Sequence, residues 1–495
     1  MKLLLTNPNF EGVVSIPSLG LGFMGTYVRE HSNCEVEIVE PILQGLTETQ
    51  VLNKVKESDI IGLTCYTESR FQVFDFAQKA KKINPDCKII LGGPHVNTLD
   101  QLILEHYPFI DVVVRGEGEE TILEIIKGKP FEEILGITWR KNNGEIVRNP
   151  GRPMIGSIDN LCCDYSMIFP QVKGWKDIEI PSELQKLNAL PIIASRGCPF
   201  QCTFCAAHHQ WGKIYRVLSP EELIKRMERL VNQYNIGYFR FYDALFPISD
   251  NWISRFCDLL EKSKLKVSFR IDIRAGTSPE ALKRLREVGC DVVGFGVESG
   301  SDKILQRINK RITRKQTEET IRICKKLGYW TIGFFMVSLP DETEEDVEKT
   351  LELLNFFDEV NVQFFKIHPN TAIYEELKIK GEINDEVWFD PNYGDWTKYG
   401  NEIYYCKEMF PSANLSRKEV ETFFHRIAYN YVIHNSQKTI RKYGIARGAF
   451  VVALSGIMDS LLKNKMGRKF YYKLQRANIP RRFYNQFVKK SEEET

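Results

Sequence analysis

Cys198, Cys202 and Cys205 lie in the run Arg196-Gly197-Cys198-Pro199-Phe200-Gln201-Cys202-Thr203-Phe204-Cys205, a CxxxCxxC spacing with the aromatic Phe204 just before the third thiol. Three thiolates at this spacing can hold three irons of a cubic iron–sulfur cluster. Such clusters are usually held by four cysteines, so a set of three leaves one iron open to a small molecule. A zinc site lacking a ligand is one competing reading, but zinc prefers CxxC pairs and a closed tetrahedron. Three chance cysteines in a thiol-bearing chain are the other.

The chain around this loop is long enough for two or three cores, since 495 residues exceed one ordinary domain. Its 67 basic and 65 acidic residues nearly cancel, so the whole chain carries no polyelectrolyte signal and nucleic acid is not an expected partner. Apart from the triplet and Cys162-Cys163, the twelve cysteines are scattered, which is cytosolic usage rather than a disulfide framework. The apolar run in Met1-Lys2-Leu3-Leu4-Leu5-Thr6-Asn7-Pro8 is too short for a signal peptide. No stretch of about twenty apolar residues occurs. The expectation is a cytoplasmic protein, soluble or at most peripheral at the inner membrane face.

Residues 1–150 alternate strand and helix. Apolar, β-branched runs at Lys2–Asn7, Glu35–Glu40, Ile60–Thr64, Lys88–Leu91 and Asp111–Val114 are separated by helical patterns such as Glu68–Ile83 and Thr98–His106. This predicts an α/β fold, a doubly wound parallel sheet with helices on both faces. Ligands bind such sheets beyond the carboxyl ends of the strands. There the sequence places Ser18-Leu19-Gly20, Thr64-Cys65-Tyr66-Thr67, Gly92-Gly93-Pro94-His95 and Gly116-Glu117-Gly118-Glu119. Glycines at these ends let a bulky ligand approach the backbone, although any one of them alone reads as a turn. Residues 137–190 follow as a hairpin-like piece and a linker, with 151–189 rich in Gly, Pro and Asn.

From residue 190 to about 385 a second βα series begins. Strand candidates are Pro191–Ser195, Tyr238–Tyr242, Val267–Ile271, Val292–Val297, Thr331–Val337 and Val360–Ile367, with helical stretches such as Pro220–Tyr234 and Glu344–Phe357 between them. Six units predict a partial (β/α)6 barrel, whose chemistry sits at the carboxyl ends of its strands. The cysteine loop follows the first of these strands.

The cysteine loop resembles that of the radical S-adenosylmethionine (SAM) superfamily. Pro17-Ser18-Leu19-Gly20, Gly92-Gly93-Pro94-His95 and Gly116-Glu117-Gly118-Glu119, placed ahead of it, resemble the cobalamin-binding domain of cobalamin-dependent radical SAM enzymes. The resemblance covers roughly residues 1–385. Methylthiotransferases also carry an α/β domain there, but with a second cysteine cluster; here that region has only Cys34, Cys65 and Cys87, far apart. The resemblance implies a [4Fe-4S] cluster on Cys198, Cys202 and Cys205, SAM on the open iron, and cobalamin in the first domain. Cobalamin contacts would come from Leu19, Gly20, Thr64, Tyr66, Thr67, Gly92, Gly93, His95, Gly116, Glu117 and Gly118. No D-x-H-x-x-G is present, so no histidine is marked as lower cobalt ligand. His95 is expected as a wall of the cleft, and Tyr66 or Thr67 beneath the corrin.

SAM contacts follow from the same resemblance. Phe204 flanks the cluster, Asp243 would receive the methionine ammonium where relatives often have two acids, and Glu298 in Gly-x-Glu-Ser-Gly would bind ribose or ammonium. Ser338 and Pro340 would shape the adenine pocket, with Asp341 a helix cap. Arg270 is open between the SAM carboxylate and a salt bridge, as is Arg274, and His208 and His209 between substrate or reductant and surface. The implied chemistry is anaerobic: the reduced cluster cleaves SAM to a 5′-deoxyadenosyl radical, and methylcobalamin passes methyl to the substrate radical, methylating an unactivated carbon. Ring closure or rearrangement without net methylation is an alternative, and a non-catalytic cofactor-binding or sensor protein a third. A low-potential donor such as flavodoxin or ferredoxin is implied.

The pattern runs out over 386–495, expected to be mainly helical. Ser416–Ser436 reads as an amphipathic helix, and Ala449–Met458 as apolar but too short to span a membrane. The tail is basic and aromatic, from Lys463 to Lys490. It suits a solvated helical cap, a surface for anionic lipid and a lipid-like substrate, or a contact for an acidic donor or anionic substrate.

Overall fold

The computed structural model describes residues 1–10, 17–168, 173–177, 179–393, 402–434 and 445–462. The first sheet is built from β1 (Lys2–Thr6), β2 (Glu35–Val39), β3 (Ile60–Thr64), β4 (Lys88–Gly92), β5 (Val112–Val114), β6 (Ile137–Arg140) and β7 (Ile146–Arg148), in the order β2-β1-β3-β4-β5-β6-β7. The first five pair in parallel and the last two antiparallel. Strands buried on both faces read as continuous apolar runs; Leu3, Leu4, Leu5, Ile61, Ile89, Leu91, Val112 and Val113 are all buried. Helices Leu19–His31, Arg70–Ile83, Asp100–His106 and Glu119–Ile126 intervene. The order 2-1-3-4-5 reverses between β1 and β3, the switch point at which doubly wound sheets bind ligands. The expected hairpin is β6–β7, which extends this sheet.

The second sheet contains β8 (Ala189–Ile192), β11 (Tyr238–Phe241), β12 (Ser268–Ile273), β13 (Cys290–Glu298), β14 (Trp330–Val337) and β15 (Glu359–Phe364), side by side in chain order. This is the partial barrel expected from the six apolar runs. Between β8 and β11 a short antiparallel ribbon forms from β9 (Ser195–Arg196) and β10 (Arg216–Val217). Helix Pro220–Tyr234 starts where the sequence places it because Ser219 caps Glu222 and Pro220 opens the first turn.

By contacts the chain forms two compact units: residues 1–294, 323–330 and 366–404, and residues 295–322, 331–365 and 405–495. In the second, helices Arg417–His434 and Ile445–Leu462 are joined by buried Arg426, whose Nε lies 3.3 Å from Asp459 Oδ1, and by Asn430 Nδ2, which donates to the same oxygen at 2.8 Å. Among the described residues no helix is long and apolar enough to cross a membrane. The basic tail from Lys463 lies outside the described residues.

Candidate active site

Beyond the carboxyl ends of β1, β3, β4 and β5 opens a cavity of about 790 Å³. Leu19, Gly20, Thr64, Tyr66, Gly92, Gly93, Gly116, Glu117 and Gly118 line it, as the sequence places them. A Cβ at Gly20 would meet nothing within 4 Å, and at Gly92 only the Val114 carbonyl oxygen at 3.9 Å, so side chains there would take up cavity space. Gly93 (φ +100°) and Gly116 (φ +75°) hold left-handed turns that favour glycine. The far wall comes from the cysteine loop: Arg196, Ala206, Ala207, Gln210 and Trp211.

His95 departs from expectation. It does not line this cavity: the ring is wholly buried beside Phe74 and Trp388, with Nδ1 3.2 Å from Thr67 Oγ1. The turn at Gly93 packs on Cys65, and the His95 amide donates to the Cys65 carbonyl at 3.1 Å, which turns the ring inward. Burial and the neighbouring Arg70 guanidinium keep the imidazole well below its usual pKa. Thr67 also leaves the large cavity; it lines a second one of about 160 Å³ with Tyr66, Pro94, Ala206, His209 and His368. Tyr66, Pro94 and Ala206 border both.

Glu117 borders the large cavity, but arginines hold its carboxylate. Arg196 Nη1 donates to Oε1 and Arg216 Nη1 to Oε2, each at 2.7 Å, and the Ile155 amide donates to Oε2 at 2.7 Å. Burial opposes ionisation, yet these donors outweigh it and hold the carboxyl below its usual range.

The three cysteines are partly exposed, in no disulfide, and lie on one loop, with the Cys205 amide donating to the Cys202 carbonyl at 3.1 Å. A cubane gives each thiolate its own iron and spreads the sulfurs apart. Among the described residues no three His, Cys, Asp or Glu side chains are grouped so as to hold a single metal ion. Phe204 is half-buried beside Cys205, and the Thr203 carbonyl accepts from the Ile373 amide at 3.2 Å. His208 Nδ1 sits 3.4 Å from the Gly212 carbonyl, and burial lowers the pKa of His209.

Asp243 follows β11. Its Oδ1 accepts from the Ala194 amide at 2.9 Å and the Ser195 hydroxyl at 2.5 Å, while Oδ2 is buried without a partner. Burial, only partly offset by these bonds, pushes its pKa up to about 7. An orphaned, raised carboxyl is suited to receive a cation. Arg270 resolves toward the salt bridge. Wholly buried, it lies 2.8 Å from Glu179, 3.2 Å from Asp177 and 3.4 Å from Asp272, and Arg240 shares Asp177 at 2.8 Å. These carboxylates take its Nε and Nη1, the salt-bridged alternative of the two readings. Arg274 stacks on Phe200 of the cysteine loop, 3.8 Å from the ring centre.

In the second unit, Glu298 ends β13 at φ +72° and pairs with Lys310 at 2.6 Å. Ser338 ends β14 at φ +70°; its amide donates to Glu342 Oε2 at 2.6 Å and its hydroxyl to the Tyr405 carbonyl. Pro340 is buried in the same turn. Two adjacent strands thus end on strained non-glycine residues, a feature concentrated at functional sites.

The Radical SAM superfamily model matches residues 192–354 and the B12 binding domain model residues 13–126. A Pyrococcus horikoshii protein named as an uncharacterized methyltransferase is 32% identical over 390 residues, 76% of this chain and 83% of that one. The chain belongs to the cobalamin-dependent radical SAM enzymes. Anaerobic magnesium-protoporphyrin IX monomethyl ester cyclase of Rubrivivax gelatinosus is 28% identical over 95% of this chain and 84% of its own. The structure of the cobalamin-dependent radical SAM enzyme OxsB with aqua-cobalamin and SAM superposes with TM-score 0.69 at 19% identity, over 96% of this chain and 75% of that one.

The cofactors of this radical SAM enzyme are therefore a [4Fe-4S] cluster, SAM and cobalamin. The glycine-lined cavity has the backbone openness a corrin needs, and the three-thiol loop the donor set of an open-iron cluster. Sequence reasoning missed Asn97, Arg196, Gln210 and Arg216, which tie these two places together, and the buried Glu342 under Ser338. The doubled acid in Gly116-Glu117-Gly118-Glu119 was the available signal, since carboxylates buried beside a cofactor need cationic partners.

Proposed function

We propose that this enzyme is a C-methyltransferase that acts on an unactivated carbon of a small or lipid-like molecule. What carries the reading is the shared wall: Ala206, directly after Cys205, lines the glycine-rich cavity. Methyl donor and radical source then stand side by side. When bound, the cluster and SAM supply a 5′-deoxyadenosyl radical, and cobalamin supplies the methyl group. Leu19, Gly20, Thr64, Tyr66, Gly92, Gly93, Gly116 and Gly118 shape the corrin seat. Cys198, Cys202 and Cys205 ligate iron. Asp243 takes the SAM ammonium on its partnerless oxygen, while the ribose role of Glu298 and the adenine role of Ser338 and Pro340 stand on the family resemblance alone. The smaller cavity, lined by Tyr66, Thr67, Glu68, His209 and His368, admits the reacting part of the substrate. A low-potential flavodoxin or ferredoxin supplies electrons, and the basic segment 463–490 touches anionic lipid.

Ring closure without methylation is the second reading, favoured by the cyclase relative that matches 95% of the chain, C-terminal region included. Product analysis of an anaerobic extract-fed reaction separates the two. Methyl transfer yields S-adenosylhomocysteine together with 5′-deoxyadenosine and a product heavier by one CH₂. Formation of 5′-deoxyadenosine without S-adenosylhomocysteine would overturn the methyltransferase reading.

A further inference from the structure

We propose that Glu117 and Gln210 are positioning residues that couple cobalamin binding to the iron–sulfur cluster, so that each cofactor strengthens retention of the other. The inference rests on the two cofactors assigned above and concerns residues that touch neither the irons nor the thiolates.

The ribbon β9–β10, in which Arg196 faces Arg216, closes both ends of the segment 197–215 that carries the three cysteines. Gly197 makes that closure possible at φ +89°, where a Cβ would fall 2.2 Å from the Ile214 carbonyl oxygen. One carboxylate grips both ends of the ribbon: Glu117 takes Arg196 on one oxygen and Arg216 on the other, each at 2.7 Å, with Glu117, Arg196 and Arg216 side chains only 2%, 4% and 7% exposed. Arg196 reaches on to Glu119 at 2.7 Å. Glu117 sits between Gly116 and Gly118, both in the wall of the corrin cavity.

A second bridge runs beside the first. The Gly116 amide donates to Asn97 Oδ1 at 2.8 Å, Asn97 Nδ2 to Gln210 Oε1 at 2.6 Å, and Gln210 Nε2 to the Gly116 carbonyl at 3.0 Å. Gln210 lies on the short helix Ala207–Trp211 just past Cys205. Both polar atoms of the Gly116 backbone are thus fixed from the two sides. A corrin seated on Gly116–Gly118 restricts that loop, and the loop's own carboxylate restricts the base of the cysteine loop. Because coupling between sites is reciprocal, a bound cluster tightens cobalamin by the factor by which cobalamin tightens the cluster.

The test is the dissociation constant of hydroxocobalamin, measured anaerobically on the full chain with and without reconstituted cluster. Wild-type protein is expected to bind about ten-fold more tightly with the cluster present, within the usual range of site-to-site coupling. Glu117→Gln, which keeps the shape and removes the charge, should bring the ratio to within about two-fold of unity. Gln210→Ala should lower it at least three-fold, and it decides the matter if Glu117→Gln does not fold. A merely structural role would weaken both constants equally and leave the ratio unchanged, which overturns the proposal. A wild-type ratio of one, with both cofactors bound, overturns the coupling and spares the cofactor assignment; a wild type that binds no corrin overturns both.

Discussion

Asp243 is where a single protonation should be readable. Its pKa near 7 means that a cationic ammonium must compete with a proton below neutrality. SAM affinity is therefore expected to fall by up to tenfold per pH unit below about 7, and titration calorimetry of Asp243→Asn should show weak binding that is flat between about pH 6 and 7, below the range in which the α-amino group of SAM itself titrates. The same group sets a stability slope. Its folded pKa stands above the unfolded value of about 3.9, so the folded state holds the extra proton between about 4 and 7. Asp243 therefore makes the stability of the cofactor-free protein decline as pH rises through that window, and melts of the Asn variant should show a shallower decline. Asp177 is the opposite case, since burial resists its charge but Arg240 and Arg270 hold its pKa low. Asp177→Asn strands part of that cationic charge in the barrel and should cost about 3 kcal/mol. SAM affinity should not change; if it drops as much as stability does, Arg270 reaches SAM after all.

Elements, next, decide where those side chains end up. The ribbon at the base of the cysteine loop depends on one residue without a side chain. Gly197→Ala drives a methyl into the Ile214 carbonyl, so iron content after reconstitution should fall to near zero while corrin binding persists at weakened affinity. The turn after β14 depends on Glu342, whose carboxylate accepts from the Ser338 and Leu339 amides at 2.6 and 3.2 Å. Burial, against those bonds, lifts its pKa to about 8. Protonation is favoured in the fold, so this turn loses stability as pH rises from the ordinary carboxyl range through 8. Glu342→Gln should make the decline of thermal stability over that range shallower, most visibly between about pH 7 and 8; an unchanged slope would show that Glu342 does not contribute to it. Strand positions were legible in the sequence to within three residues, because parallel strands buried on both faces read as continuous apolar runs. The direction of His95 was not, because it follows from a left-handed turn at Gly93 and a backbone bond to Cys65, neither of which leaves a periodic trace.

At the scale of the whole molecule, the cysteine loop and the glycine-lined cavity were legible because each is short in sequence: a cysteine triplet, and glycines at successive strand ends. Their connection was not. Glu117 meets Arg196 and Arg216, and Arg270 meets Asp177, across separations at which spacing carries no information and charge alone cannot choose a partner. That is why the sequence puts Glu117 on a cofactor and leaves Arg270 open between SAM and a salt bridge, whereas the fold gives Glu117 to a clamp and Arg270 to Asp177, Glu179 and Asp272. The account rests on a chain that binds a corrin beside an open-iron cluster. The most direct measurement is the visible spectrum, with iron and cobalt content, of protein reconstituted without oxygen with iron, sulfide and hydroxocobalamin and then desalted. Corrin bands over the broad cluster absorption, with the cluster absorption lost in Cys198→Ala, Cys202→Ala and Cys205→Ala while the corrin bands remain, is the predicted result. A cluster that survives desalting with no corrin beside it would contradict the account.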